Sequence, residues 1–200
     1  MAGGVVRFIR GNAFVVAAIA LPVLVAGFFM LAAAIPRWTV PPPAYDFVFR
    51  ASGPYDGSMR SVLDFNVRDG HLEITVRPAP KDGYVQPWGL FLFDHQAMTV
   101  RELPLGIPKS LPDAKPITIT VDALAGRRIV PDAAAPDGYE LRTGRAEGGG
   151  LIGELFGMGR YRQSIGLAKD GRIVPLVLPA PYRNPYEPVY PVGWIVDDER

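Results

Sequence analysis

From Ala13 to Ile35 the chain reads AFVVAAIALPVLVAGFFMLAAAI, 23 residues without a charged or strongly polar side chain. As a helix rising about 1.5 Å per residue, this run is about 34 Å long, enough to cross a hydrocarbon core of about 30 Å. It is expected to be a transmembrane helix. Arg7 and Arg10 precede it while Arg37 and Asp46 follow, a bias that favours a cytoplasmic N-terminus. Trp38, just beyond the span, suits the interfacial belt. The rival is a cleaved signal peptide with Ala32-Ala33-Ala34 as its site, but such an apolar region is ordinarily about 7 to 15 residues, well short of this one.

The expected organisation is a cytoplasmic N-terminus over 1–12, a transmembrane helix over 13–35 and a Pro-rich spacer over 36–44. A periplasmic β domain over 45–178 and a Pro/Tyr-rich strap over 179–200 complete it. The location this implies is a bacterial inner membrane, crossed once, with the C-terminal domain in the periplasm.

Inside the span, Pro22 removes one backbone donor and bends or loosens the helix. Ala13, Ala17, Ala26 and Gly27 are candidate helix–helix contacts because small residues let a neighbouring helix approach closely; equally, alanine is simply common in membrane anchors. The span holds no histidine to ligate haem or a chlorophyll magnesium, and no acid or base for a proton path.

Composition narrows the function further. The 21 Lys and Arg balance 20 Asp and Glu, leaving no charge excess to hold a polyanion, so nucleic acid is not an expected partner. Cysteine is absent, which removes disulfides, thiol nucleophiles and Cys-ligated metal centres. His71 and His95 stand apart from any H-x-x-x-H spacing, and no metal, cofactor or catalytic set is expected.

Beyond Val40-Pro41-Pro42-Pro43 the chain is cut by Gly and Pro into short runs rich in Val, Ile, Phe, Tyr and Thr, which is a β pattern. The clearest hairpin is 61–77, where Asp69-Gly70 supplies the positive φ of a type I′ turn. Leu72, Ile74 and Val76 alternate on one side, whereas Val62, Phe65 and Val67 do not. A second pair spans 88–103 with a turn at Asp94-His95-Gln96, and a third hairpin spans 160–178 with its turn at Lys169-Asp170-Gly171. Weaker strands are expected at 45–50, 117–121, 139–143 and 189–196. About eight or nine strands and no amphipathic helix indicate a mainly β fold: one N-terminal transmembrane helix, then a compact antiparallel β domain.

LFLFDHQAMTVREL resembles the outer hairpin of a β-propeller blade, and PDGYELRTG resembles the opening of blades in periplasmic propeller repeats. The resemblance implies two blade-like units, Tyr45 to Leu103 and Pro136 to Val196. Two blades do not close a propeller of about four to eight, so a sandwich or partial barrel with blade-like meanders is expected.

Gly148, Gly150 and Gly153 in EGGGLIGELFGMG fall on G-x-G-x-x-G. A dinucleotide loop needs a following helix and an acid at the next strand's end; here Gly157 and Gly159 oppose a helix and Asp170 falls in a turn. No nucleotide is expected. Leu151, Ile152, Leu155, Phe156 and Met158 remain as the apolar cargo of that loop. They either tuck under their own core, the favoured reading for most of them, or dock on a bilayer or partner. Asp94 and His95 are neighbours without a G-x-S-x-G elbow, so a hydrolase is the minority expectation. In the strap, Tyr182, Tyr186, Tyr190 and Trp194 recur every four residues among prolines, a stiff amphipathic strip that either contacts a partner or wraps its own sheet.

The function expected from these features is that of a non-catalytic accessory or assembly subunit of a larger inner-membrane complex, respiratory or photosynthetic in type. Its partners would be other subunits and the lipid bilayer. The alternative is a stand-alone membrane-anchored envelope protein binding a glycan, peptide or lipid.

Overall fold

A computed structural model describes residues 12–53, 61–79, 85–107, 115–146, 162–180, 182 and 188–196. The chain forms two units: the first takes in the chain up to Pro41 together with Asp170–Arg172, the second the remainder. In the first unit, α1 runs Ala13–Thr39, four residues past the expected end at Ile35. Pro36 is tolerated inside it, and the last turn is closed by Val40 N–H donating to the Pro36 carbonyl at 3.1 Å. Val40 then turns extended (φ −94°, ψ 123°), as the residue before a proline must, and Pro41-Pro42-Pro43 stops the helix. The large apolar side chains of α1 lie mostly exposed, from Phe14 at 88% to Trp38 at 74%, while Val16, Ala20, Ala26 and Ala34 are half-buried.

The second unit is mainly β and antiparallel, with eleven strands among the described residues of the chain. The central sheet has the order β5-β4-β1-β11-β7, formed by β1 (Asp46–Ser52), β4 (Trp88–Asp94), β5 (Thr99–Leu103), β7 (Ile129–Val130) and β11 (Val189–Ile195). WGLFLFD is a nearly unbroken apolar run, and DFVFRAS is apolar but for Asp46, Arg50 and Ser52; β1 and β4 are both buried on both faces. On one face Phe47, Phe49, Phe91, Phe93 and Trp194 are wholly buried. Register makes this a single aromatic layer, because Phe47 pairs with Phe93 and Trp194, and Phe49 with Phe91. Phe47 lies 4.4 Å from Trp194 between ring centroids and 5.6 Å from Phe49.

The opposite face carries Val48, Leu90 and Leu92, which share a core with the second sheet. That sheet has the order β2-β3-β6, formed by β2 (Ser61–Arg68), β3 (His71–Pro78) and β6 (Ile117–Thr120). Its pairing sets Leu63 against Val76, Phe65 against Ile74 and Val67 against Leu72, so Leu63, not Val62, completes the inward side of β2. Each fully buried Leu, Ile or Phe contributes about 1.5–3 kcal/mol to holding the layers together. A third sheet, β10-β9-β8, is formed by β8 (Glu140–Ala146), β9 (Arg162–Lys169) and β10 (Arg172–Pro175).

The expected turns form as the Asp-Gly pairs dictate: Asp69 and Gly70 have φ of 51° and 78°, Asp170 and Gly171 of 44° and 82°. No barrel closes among the described residues. The two blade-like units are not separate meanders either, since β1 from the first lies between β4 and β11, and β11 belongs to the second.

Candidate functional site

β1 places Asp46, Val48 and Arg50 on the face that meets the second sheet, and the two charged residues stand about 13 Å apart along the strand. Each organises a cluster. Asp46 is 7% exposed, and its carboxylate accepts three hydrogen bonds. Its Oδ1 accepts from the His95 backbone N–H at 2.9 Å and lies 2.7 Å from His95 Nδ1, while Oδ2 accepts from Arg127 Nη1 at 2.9 Å. Burial by itself raises the pKa of this carboxyl, but the donors from His95 and the charge of Arg127 outweigh it and hold it below the usual carboxylate value. An ionised carboxylate only accepts, so Nδ1 carries the proton and Nε2 points elsewhere. Asp94, the sequence neighbour of His95, instead caps the turn, its Oδ1 accepting from the N–H groups of Gln96 and Ala97 at 2.9 Å each.

An acid and a histidine are therefore paired, but among the described residues no hydroxyl contacts His95. Nor do the described residues gather three His, Asp or Glu side chains at one point. The cluster ties the start of β1 to the β4–β5 turn and to the loop after the 3-10 turn at Asp122–Leu124.

At the other end of β1, the Arg50 guanidinium lies over three rings: Phe65 at 5.3 Å, Trp88 at 4.8 Å and Tyr190 at 5.1 Å from their centroids. Trp88 and Tyr190 meet edge to face at 5.6 Å. Register brings the rings together, because Tyr190 is the direct cross-strand partner of Arg50 and Trp88 that of Ser52, two residues on along the same face. Two clefts open beside the guanidinium, one of about 520 Å³ and one of about 320 Å³, and Arg50, Phe65 and Asn66 line both. Among the described residues no group accepts a hydrogen bond or forms an ion pair with Arg50. Arg77, in the larger cleft, is paired with Asp64.

No protein-family model matches the chain, and no curated protein or solved structure is significantly similar to it.

The strap residues divide. Tyr190 is 45% exposed and walls the Arg50 clamp. Trp194 is wholly buried against Phe47, so it belongs to the core and presents nothing to a partner. Tyr182 is seated on its own sheet: its ring meets Phe91 edge to face at 4.9 Å and its hydroxyl donates to Glu102 at 2.9 Å. A Cβ at Gly53 or Gly89 would stand 2.8 Å from that ring, so the two glycines form the slot it occupies. Burial, then the Glu102 carboxylate, push the Tyr182 phenol up to about 12. Tyr186 and the loop residues Leu151, Ile152, Leu155, Phe156 and Met158 lie outside the described residues. In α1, Ala17 and Gly27 are exposed and Ala26 is half-buried.

Sequence reasoning missed Arg50, Asp46 and Arg127. For Arg50 a signal was present: one cation interrupting the apolar strand DFVFRAS either breaks the strand or sits in a prepared place.

Proposed function

We propose that this chain is a single-pass membrane protein that acts by binding, as a non-catalytic accessory subunit of a larger inner-membrane complex of respiratory or photosynthetic type. The observation that carries the reading is α1: a candidate span from Phe14 to Pro36, apolar on every side, with none of it buried within the chain. Such a surface is stable only in lipid or against other apolar helices. The excess of Arg7 and Arg10 over the far side supports an N-terminus in the cytoplasm and a β module in the periplasm. Ala17, Ala26 and Gly27 are the positions at which a neighbouring helix packs closest.

Because the chain has no cysteine, single cysteines at Ala17, Ala26 and Gly27 carry a photo-crosslinker without background. Illumination of native membranes is expected to give adducts with a different protein; adducts only with lipid or with a second copy of the chain would contradict the accessory-subunit reading.

The Arg50 clefts favour a second reading, a membrane-anchored envelope protein whose β module captures a peptide or glycan on its own. Deleting residues 1–36 separates the two, since an autonomous receptor keeps its ligand without the helix.

A further inference from the structure

We infer that the Arg50 clefts are a binding site for an extended peptide that carries a carboxylate, with Arg50 as the anchor. The inference rests on the reading of the β module as a binding device, which both functional readings share. Three observations converge on it.

The first is the unspent capacity of Arg50. Rings at 4.8 to 5.3 Å hold the guanidinium in place, while its N–H donors have no acceptor among the described residues. A guanidinium fixed by aromatic neighbours has already lost its rotamer freedom, so a ligand that engages its N–H fork does so at low entropic cost. The fork matches the two oxygens of a carboxylate.

The second is charge. The larger cleft holds Arg50, Arg77 and Asp64; the ion pair between Arg77 and Asp64 cancels, which leaves one positive charge. That complements a monoanion such as a carboxylate better than a phosphate dianion.

The third is the strand beside the clefts. β2 has β3 on one side and no described strand on the other, and Phe65 and Asn66 of β2 line both clefts. The smaller cleft continues past Val67 to Pro131, Pro191 and Val192, whose apolar side chains wall one part of a cleft that is elsewhere more polar than apolar. An unpaired edge offers main-chain hydrogen bonds to an extended peptide, and the apolar wall receives alternate side chains. A glycan would use the rings and Arg50 but has no use for the strand edge.

The test uses the full chain in detergent micelles and two blocked heptapeptides, acetyl-Val-Thr-Val-Glu-Val-Thr-Val-amide and its Gln counterpart. Binding is followed by Trp fluorescence and by the Arg50 guanidinium Nε–H resonance in 15N-labelled protein. The Glu peptide is expected to bind saturably, shift the Arg50 Nε–H resonance and exceed the Gln peptide by about tenfold or more, the worth of a charge-assisted bidentate contact. Arg50→Gln should abolish the preference for Glu. Arg50→Lys, which keeps the charge without the fork, should lower it several-fold, and Tyr190→Ala, at an exposed position, should weaken binding with the fold intact.

Equal binding of the two peptides, no binding of either, an unchanged preference in a folded Arg50→Lys protein or an unchanged affinity in a folded Tyr190→Ala protein would overturn the inference. So would tighter binding of digalacturonate or inorganic phosphate than of the Glu peptide, which would assign the clefts to a glycan or to a bare anion. None of these results touches the membrane anchor or the subunit contacts, which the crosslinking of α1 tests separately.

Discussion

Replacing Asp46 by alanine removes the acceptor of three hydrogen bonds from the second unit and leaves His95 and Arg127 facing one another without the carboxylate between them. A hydrogen bond to a charged group contributes about 1.5–3 kcal/mol net, and breaking a fully buried pair costs about 3–5 kcal/mol. The His95 and Arg127 side chains keep 29% of their surface exposed, so water recovers part of the loss, and about 3 kcal/mol is expected. For a module of this size that lowers Tm by about 6–12 °C. Asp46→Asn keeps a carbonyl acceptor but no charge, and is expected to cost about 2 kcal/mol. The sign of the pH dependence follows from the lowered pKa. The carboxyl titrates lower in the folded than in the unfolded chain, so its contribution is fully present above the ordinary value of 3.8 and is lost as pH falls through the folded value. Urea unfolding followed by Trp fluorescence, from pH 7 down to about 3, measures both. A loss below about 1 kcal/mol for the alanine variant, or a gap between wild type and Asp46→Asn that widens as pH falls through that range, would refute the reasoning.

Four further substitutions probe how the layers and the strap are held. A Cβ on Gly193 would stand 2.6 Å from Ile129 Cγ2 and from the Val130 carbonyl oxygen, so Gly193→Ala is expected to detach β7 and cost about 2–4 kcal/mol, read as lost amide-exchange protection at Val130 and Val196. Gly89→Ala drives a methyl into the rings of Tyr182 and Phe91 and should expose the strap to limited proteolysis; adding Tyr182→Ala should recover part of the stability, so the two changes are not additive. Tyr182→Phe loses the bond to Glu102, about 1 kcal/mol, and removes from the ultraviolet titration a phenol that ionises only near pH 12.

The parts of the fold that were legible in the sequence are those set by local chemistry. Asp69-Gly70 and Asp170-Gly171 demand positive φ within four residues of chain, and they form the turns expected of them. The unbroken run at Ala13–Ile35 has a composition that only one kind of element accommodates, although Pro36 failed to end it, because a missing donor in the last turn breaks a single hydrogen bond. The candidate site was not legible because its members meet only through long-range register. Asp46 is 49 residues from His95 and 81 from Arg127, and the rings around Arg50 come from β2, β4 and β11. Tyr182 shows the same limit from the other side: proline spacing describes a stiff strip, but the slot that captures the ring is made by Gly53 and Gly89 on the central sheet.

Native mass spectrometry of membranes dissolved in a mild detergent tests the proposed function most directly. The expected result is this chain, with residues 1–36 still attached, released within a particle that contains other membrane subunits and dissociating from it only when the detergent is made harsher. A lone monomer under the mildest conditions, or a chain that begins after Ala34, would contradict the proposal that α1 is a retained anchor seated among neighbouring subunits.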